Sequence, residues 1–194
     1  AMTADADGRL WFTTETFSYF VYDAATRMRR EYRFPSMVYF ASWAITTARS
    51  GLILFGTTSG LWIKDPNTDA PPVAFTKYNG HDILGNSVVM HILETDEGLW
   101  LSTDNGLFHV DLETGVQEHI SESSAGLPNN NLTFLHVDAD GIFWIASRGG
   151  GLIRWDSRSN AFRAFTINEG LSHNVIYAIY EDDYGFLWMS SDFG

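Results

Sequence analysis

Two stretches of this sequence open like a calcium-binding loop, with an Asp-x-Asp-Gly phrase at residues 5–8 and again at 138–141. A cation held by such a loop needs further oxygen donors and a closing glutamate at about the twelfth position. Neither copy supplies that set, so the favoured reading is a turn in which the first aspartate accepts backbone N–H bonds. Six histidines are present: His81, His91, His109, His119, His136 and His173. Imidazole serves as a general base near neutral pH. His91 and His136 fall in stretches expected to be inner strands, where a satisfied core or channel histidine is the expected role. His173 falls in a loop and is the best placed to touch a ligand. No Gly-x-Ser-x-Gly, Walker loop, His-Glu-x-x-His or dinucleotide fingerprint occurs.

The elements that would position these groups come from a repeat. An acidic pair, a glycine, one or two apolar residues, usually Trp, and then Ser or Thr recur five times, at 5–14, 50–58, 96–103, 138–147 and 182–191. The glycines are Gly8, Gly51, Gly98, Gly141 and Gly185, separated by 43, 47, 43 and 44 residues. Trp100, Trp144 and Trp188 follow at intervals of 44 and 44. Four strands of about 5–6 residues with connections of about 4–6 occupy roughly 40–48 residues, which is one propeller blade. The sequence has no long stretches of 3.6-residue periodicity, but short β-branched and aromatic runs punctuated by Gly, Asn, Asp and Pro.

The expected fold is therefore all-β: a partial β-propeller of 4 to 4.5 four-stranded antiparallel blades. The blades fall at about 1–35 (partial), 36–80, 85–121, 130–167 and 174–194 (partial). In the copy around Gly141, Leu132–Val137 is the inner strand, Ile142–Ser147 the second, Leu152–Asp156 the third and Phe162–Thr166 the outer one. By the same register the chain opens on a second strand at Leu10–Thr14 and closes on one at Leu187–Ser190. Open blade edges at both ends predict self-association. Trp11, Trp100, Trp144 and Trp188 are expected to pack between blades, whereas Trp43, Trp62 and Trp155 fall outside that register and are freer for recognition. Arg27, Arg29, Arg30 and Arg33 form a basic cluster near an outer strand, read as a solvated face.

Composition narrows the partners. With 45% hydrophobic and 15% aromatic residues the chain can bury a core, and its formal charge of -12 disfavours nucleic acid and anionic membrane surfaces. There is no cysteine, hence no disulfide and no thiolate metal site. No run of 18 apolar residues spans a membrane. If Ala1-Met2 is an appended pair, the natural N-terminus and any export signal lie upstream.

Residues 170–182 (Gly-Leu-Ser-His-Asn-Val-Ile-Tyr-Ala-Ile-Tyr-Glu-Asp), followed by Gly185-Phe186-Leu187-Trp188, resemble the two-component regulator propeller repeat. Gly126-Leu127-Pro128-Asn129-Asn130-Asn131 with Asp140-Gly141-Ile142-Phe143-Trp144, and residues 96–111, are further matches. The likeness is good over about 85–194 and weaker over 1–80; the second copy has Leu54 in place of Trp and a Pro-rich tail at 69–76. The resemblance implies the extracytoplasmic, periplasmic sensor region of a bacterial signalling receptor, joined to the membrane and to a kinase or cyclase through domains absent from this sequence. It implies a ligand, often a saccharide, or receptor dimerisation, and no catalysis or cofactor. The Asp-x-Asp-Gly phrase also resembles the Asp-box of sialidases, and residues 5–15 resemble streptogramin lyases, but no matching catalytic set is found. The alternatives are an enzyme of lyase or glycosidase type on this fold, and a protein-interaction scaffold.

Strand alternation puts the loops between second and third strands on one face with the inter-blade crossings. That face gathers Asp104, Asn105, Asn129, Asn130, Asn131, Arg148, His173 and Asn174. Amides, a carboxylate and a guanidinium suit a polyol. The competing reading is that these residues serve turn geometry.

Overall fold

The computed structural model describes residues 1–14, 18–35, 41–75, 84 and 87–193. Four four-stranded sheets follow one another along the chain. They are β1 (Met2–Ala4) to β4 (Met28–Arg33), with β2 Leu10–Thr13 and β3 Ser18–Asp23; then β5 (Ser42–Thr47), β6 (Ile53–Thr57), β7 (Gly60–Lys64) and β8 (Val73–Ala74). The third holds β9 (Val89–Thr95), β10 (Gly98–Thr103), β11 (Gly106–Asp111) and β12 (Gly115–Ile120). The fourth holds β13 (Leu132–Val137), β14 (Phe143–Ser147), β15 (Leu152–Asp156) and β16 (Ala161–Phe165). A fifth sheet has two strands, β17 (Ile176–Glu181) and β18 (Leu187–Ser191). Pairing is antiparallel throughout, and each first strand lies beside the next sheet's first strand, from β1 through β5, β9 and β13 to β17. The sheets are blades of a β-propeller set around a common axis.

The first blade differs from the expectation that it opens on its second strand. Met2–Ala4 pairs with Leu10–Phe12, so this blade is four-stranded. The periodicity could not show it, because a three-residue strand has too few side chains to display alternation. A single-turn helix, α1 (Glu122–Ala125), stands in one crossing and a 3-10 turn (Ile167–Glu169) in the next. At Gly151 a Cβ would lie 2.0 Å from the Phe165 carbonyl oxygen, and φ is +74°; the turn from β14 to β15 therefore tolerates only glycine there.

The recurrent acidic phrase is a clasp. Asp5 Oδ1 accepts from the backbone N–H of Asp7 (3.1 Å) and Arg9 (2.9 Å), and Oδ2 accepts from Trp11 Nε1 (2.8 Å). Asp138 does the same for Asp140, Ile142 and Trp144, and Asp182 for Tyr184, Phe186 and Trp188. Burial raises the pKa of Asp5 and Asp138, but the indole and backbone donors outweigh it and hold both carboxyls below their ordinary value. The turn reading thus accounts for both oxygens of each aspartate. In the second blade the aspartate and the tryptophan are lost together, as Ala48 and Leu54. In the third the turn is one residue shorter, which places Glu94 six residues before Trp100. Glu94 accepts instead from the Arg49 N–H, and Trp100 Nε1 has no partner among the described residues while its ring stacks on His109 at 4.3 Å.

Three of the four repeat tryptophans fill gaps between blades. Trp11 packs with Ile45, Ile53 and Phe55 of the second blade, Trp100 with Phe143 and Trp155 of the fourth, and Trp144 with Ile176 and Ile179 of the fifth. Trp188 departs from the expectation: it is 63% exposed, and among the described residues no further sheet packs on its outer side. Trp62 and Trp155 also correct the reading that left them free. Trp155 is buried, and Trp62 packs edge-on to Phe34 and donates to the Ser59 carbonyl.

Candidate functional site: an axial pocket

Each of the last four first strands carries an irregularity at its second residue. The register of β5 slips between Ser42 and Ala44, that of β13 between Leu132 and Phe134, and that of β17 between Ile176 and Ala178. In β9, His91 pairs with Ser102 and Val89 with Thr103, leaving Met90 as the extra residue. A bulge re-aims its side chain. The extra residues are Trp43, Met90, Thr133 and Tyr177, and all four line one cavity of about 410 Å³ on the axis. The next residues, Ala44, His91, Phe134 and Ala178, line it as well, with Ala1 completing the wall from the first blade.

These positions are written in the repeat. Trp43, Met90, Thr133 and Tyr177 each stand eight residues before a landmark glycine (Gly51, Gly98, Gly141, Gly185). Ala1, Ala44, His91, Phe134 and Ala178 stand seven before. The signal was available in the sequence, but it becomes meaningful only once the bulge is known to point that column at the axis.

The walls are mainly apolar, with the rings of Trp43, Phe134, Tyr177 and His91 among aliphatic side chains. Trp43 is 48% exposed and is the most accessible of the three tryptophans outside the repeat register. His91 stacks on Phe134 with ring centroids 3.8 Å apart, and its Nδ1 accepts from the Leu135 N–H at 3.3 Å. Burial pushes its pKa down to about 4, so at neutral pH the ring is uncharged and carries its proton on Nε2. The Thr133 hydroxyl is committed to the Ile176 carbonyl.

At the rim, Tyr177 Oη donates to Asp192 Oδ1 at 2.6 Å, which raises the phenol's pKa. Arg148 lies over the Tyr177 ring at 5.9 Å, and His173 Nδ1 is 3.6 Å from Asp192 Oδ2. Two of the eight sequence candidates, Arg148 and His173, therefore flank the Tyr177–Asp192 pair, although neither lines the cavity itself. Tyr177 and Asp192 were not among the candidates.

The other candidates mostly hold backbone. Asn130 Oδ1 accepts from the Glu122 N–H at the start of α1, and Asn174 Oδ1 accepts from the Ile167 N–H at the start of the 3-10 turn. Asn129 Oδ1 accepts from the Asn131 N–H, and Asp104 Oδ1 from the Val88 N–H. Asn105 contributes its carbonyl to His119 Nε2, and Asn131 its carbonyl to the Arg148 N–H. Replacing Asn174 by Ala should lower stability by about 1 kcal/mol through the lost cap. A thermal melt would show it, and binding in the axial pocket should be unchanged.

The remaining histidines tie strands and turns together. His109 Nε2 bonds the Glu97 carbonyl, and His136 Nε2 lies 2.6 Å from Glu181 Oε2 across two blades. His81 lies outside the described residues. Among the described residues no three His, Asp or Glu side chains are grouped as metal ligands would be.

The fold and its repeat define a β-propeller arc. Residues 170–193 match the family model described as a two component regulator propeller. That stretch is one of those whose resemblance to the repeat was read from the sequence. Among solved structures it is similar to the extracellular domain of the hybrid two component system BT3049 from B. thetaiotaomicron, with a TM-score of 0.78 and 23% identity over 97% of this chain and 25% of that one. It is similar to the extracellular domain of BT4673 from the same organism, with a TM-score of 0.78 and 20% identity over 100% of this chain and 26% of that one. A virginiamycin B lyase from Staphylococcus aureus has a TM-score of 0.70 and 18% identity, over 97% of this chain and 61% of that one. The chain spans about a quarter of the length of the first two. No curated protein matches it by sequence.

Proposed function

We propose that this chain is part of a non-enzymatic, extracytoplasmic sensor propeller of a bacterial signalling receptor, and that it binds a neutral saccharide in the axial pocket. The observation that carries the reading is the bulge repeated in four inner strands, which turns Trp43, Met90, Thr133 and Tyr177 into one cavity. Exposed indole and phenol faces stack on sugar rings, and the Nε2–H of His91 with the Arg148–Asp192 rim supplies polar contacts. Support for the sensor role comes from the repeat at 170–193 and from a fold shared with extracellular domains of signalling systems. The lyase shares the fold too, but the histidines described here each serve a separate partner.

The test is titration of the chain with neutral oligosaccharides, followed by tryptophan fluorescence and melting temperature. Binding should weaken about tenfold or more in Trp43→Ala, the cost of losing a stacking anchor. No stabilisation by any neutral oligosaccharide, or equal binding by Trp43→Ala, would reject the reading.

A further inference from the structure

The gap between the first and second blades is closed differently from the others. Outer strands β12 and β16 run for six and five residues, but β8 has only two, Val73–Ala74. The connection from β7 to β8 arches over the gap instead and leaves a cleft of about 340 Å³. Its floor is aromatic: Trp11 stacks on Tyr19 at 5.8 Å and Tyr19 on Tyr32 at 5.3 Å. In a chain of net charge -12, four cations line it, Arg9, Arg30, Arg33 and Lys64, against the two carboxylates of Asp23 and Asp69.

Two of these cations are built in. Arg9 is held by Asp5 and Asp7. Lys64 is only 5% exposed, and its ammonium donates to the carbonyls of Asp65 and Thr68 and to the Thr68 hydroxyl. All are neutral acceptors, and among the described residues Lys64 has no ion-pair partner. Asp65 and Asp69 act on it only through space, so its buried charge is incompletely compensated, and an anion beside it would add to that compensation. Arg30 pairs in register with Val21, which pairs with Trp11, so it sits on the face of the first blade that looks into the cleft. Among the described residues neither Arg30 nor Arg33 has an ion-pair partner.

We propose that this cleft binds an anionic ring compound, a carboxylate or sulfate on a six-membered ring. Its ring lies against Tyr32, the outer member of that stack, and its charge meets Arg30 and the field of Lys64. The site is separate from the axial pocket. The basic residues read as a solvated face are thereby divided, with Arg30 turned inward.

The experiment is calorimetric titration of the intact chain with three probes: trigalacturonate, benzoate and neutral maltotriose. Either acid should bind in the cleft, the sugar acid and the aryl acid distinguishing the two sources of the same chemistry. The affinity should fall about tenfold in Arg30→Gln, fall as salt is raised, and rise in Asp69→Asn. Arg30 is exposed, so an unchanged melt would show that the variant is folded. Trp43→Ala should leave this binding intact, which separates it from the axial pocket. Three results would each overturn the proposal: no heat from either acid at millimolar concentration, acid binding that Arg30→Gln leaves unchanged, or displacement of the acid by maltotriose.

Discussion

Replacing Trp100 by Ala should destabilise the chain by about 3–5 kcal/mol, while the same change at Trp188 should cost under about 1 kcal/mol. Trp100 is 3% exposed and fills the space between the third and fourth blades. It meets Trp155 at 5.4 Å and Phe143 at 5.0 Å, edge to face, and stacks on His109. Its Nε1 has no partner among the described residues, so truncation forfeits packing and orphans no acceptor among them. Trp188 occupies the same repeat position and keeps the aspartate clasp, but it packs against no further blade. The difference is dominated by blade-on-blade burial, because the clasp that Trp188 keeps and Trp100 lacks works in the opposite direction. Urea midpoints with unchanged slopes would measure it. A large, concentration-dependent cost at Trp188 would mean that a second copy covers that face, as the open edge predicts.

The second expected result is a loss of stability as pH falls from about 6.5 to about 4, abolished in His91→Leu. The His91 ring is pressed against Phe134 and accepts from a backbone N–H, and burial pushes its pKa down to about 4. The unfolded chain takes up this proton near pH 6.5, but the folded chain does so only near its own lower value. Between the two the unfolded state binds more protons, so acid favours unfolding. At about 1.4 kcal/mol per pH unit the whole window is worth about 3 kcal/mol. Above pH 6.5 this contribution is complete and flat. Asp5 and Asp138, held below their ordinary value, act in a lower window: their stabilisation is present above about pH 4 and is lost as pH falls through their folded values. Denaturation curves across pH for the parent chain and His91→Leu would separate the two. A parallel pH dependence in both proteins would refute the assignment to His91.

The blades were legible because their landmarks are rigidly spaced. Gly141 and Trp144 fix a turn and a half-buried indole, and the strands of the fourth blade fall within a residue of the places read from the sequence. Met2–Ala4 was missed because pairing there is a matter of backbone, not side-chain pattern. Asn130 and Asn174 were read as ligand groups because amides serve both purposes. The Thr166-Ile167-Asn168-Glu169 capping box could have pointed to the helical turn that Asn174 closes. Trp188 was placed between blades by its position alone, yet burial depends on what lies opposite. The axial column escaped for another reason: Trp43, Met90, Thr133 and Tyr177 share no chemistry, so a search for recurring residue types passes over them.

The clasps have an implication for how such an array comes apart. Trp11 and Trp144 are tethered to their own sheets and, like Trp100, sheltered by the sheet that follows, so these leaves lean on their successors. Damage therefore spreads backwards. Loss of the final leaf would bare Trp144, and loss of the one before it would bare Trp100. In hydrogen exchange, amide protection should be lowest at the carboxyl end and rise toward the middle of the chain, as for a zip whose slider is parked at its last tooth.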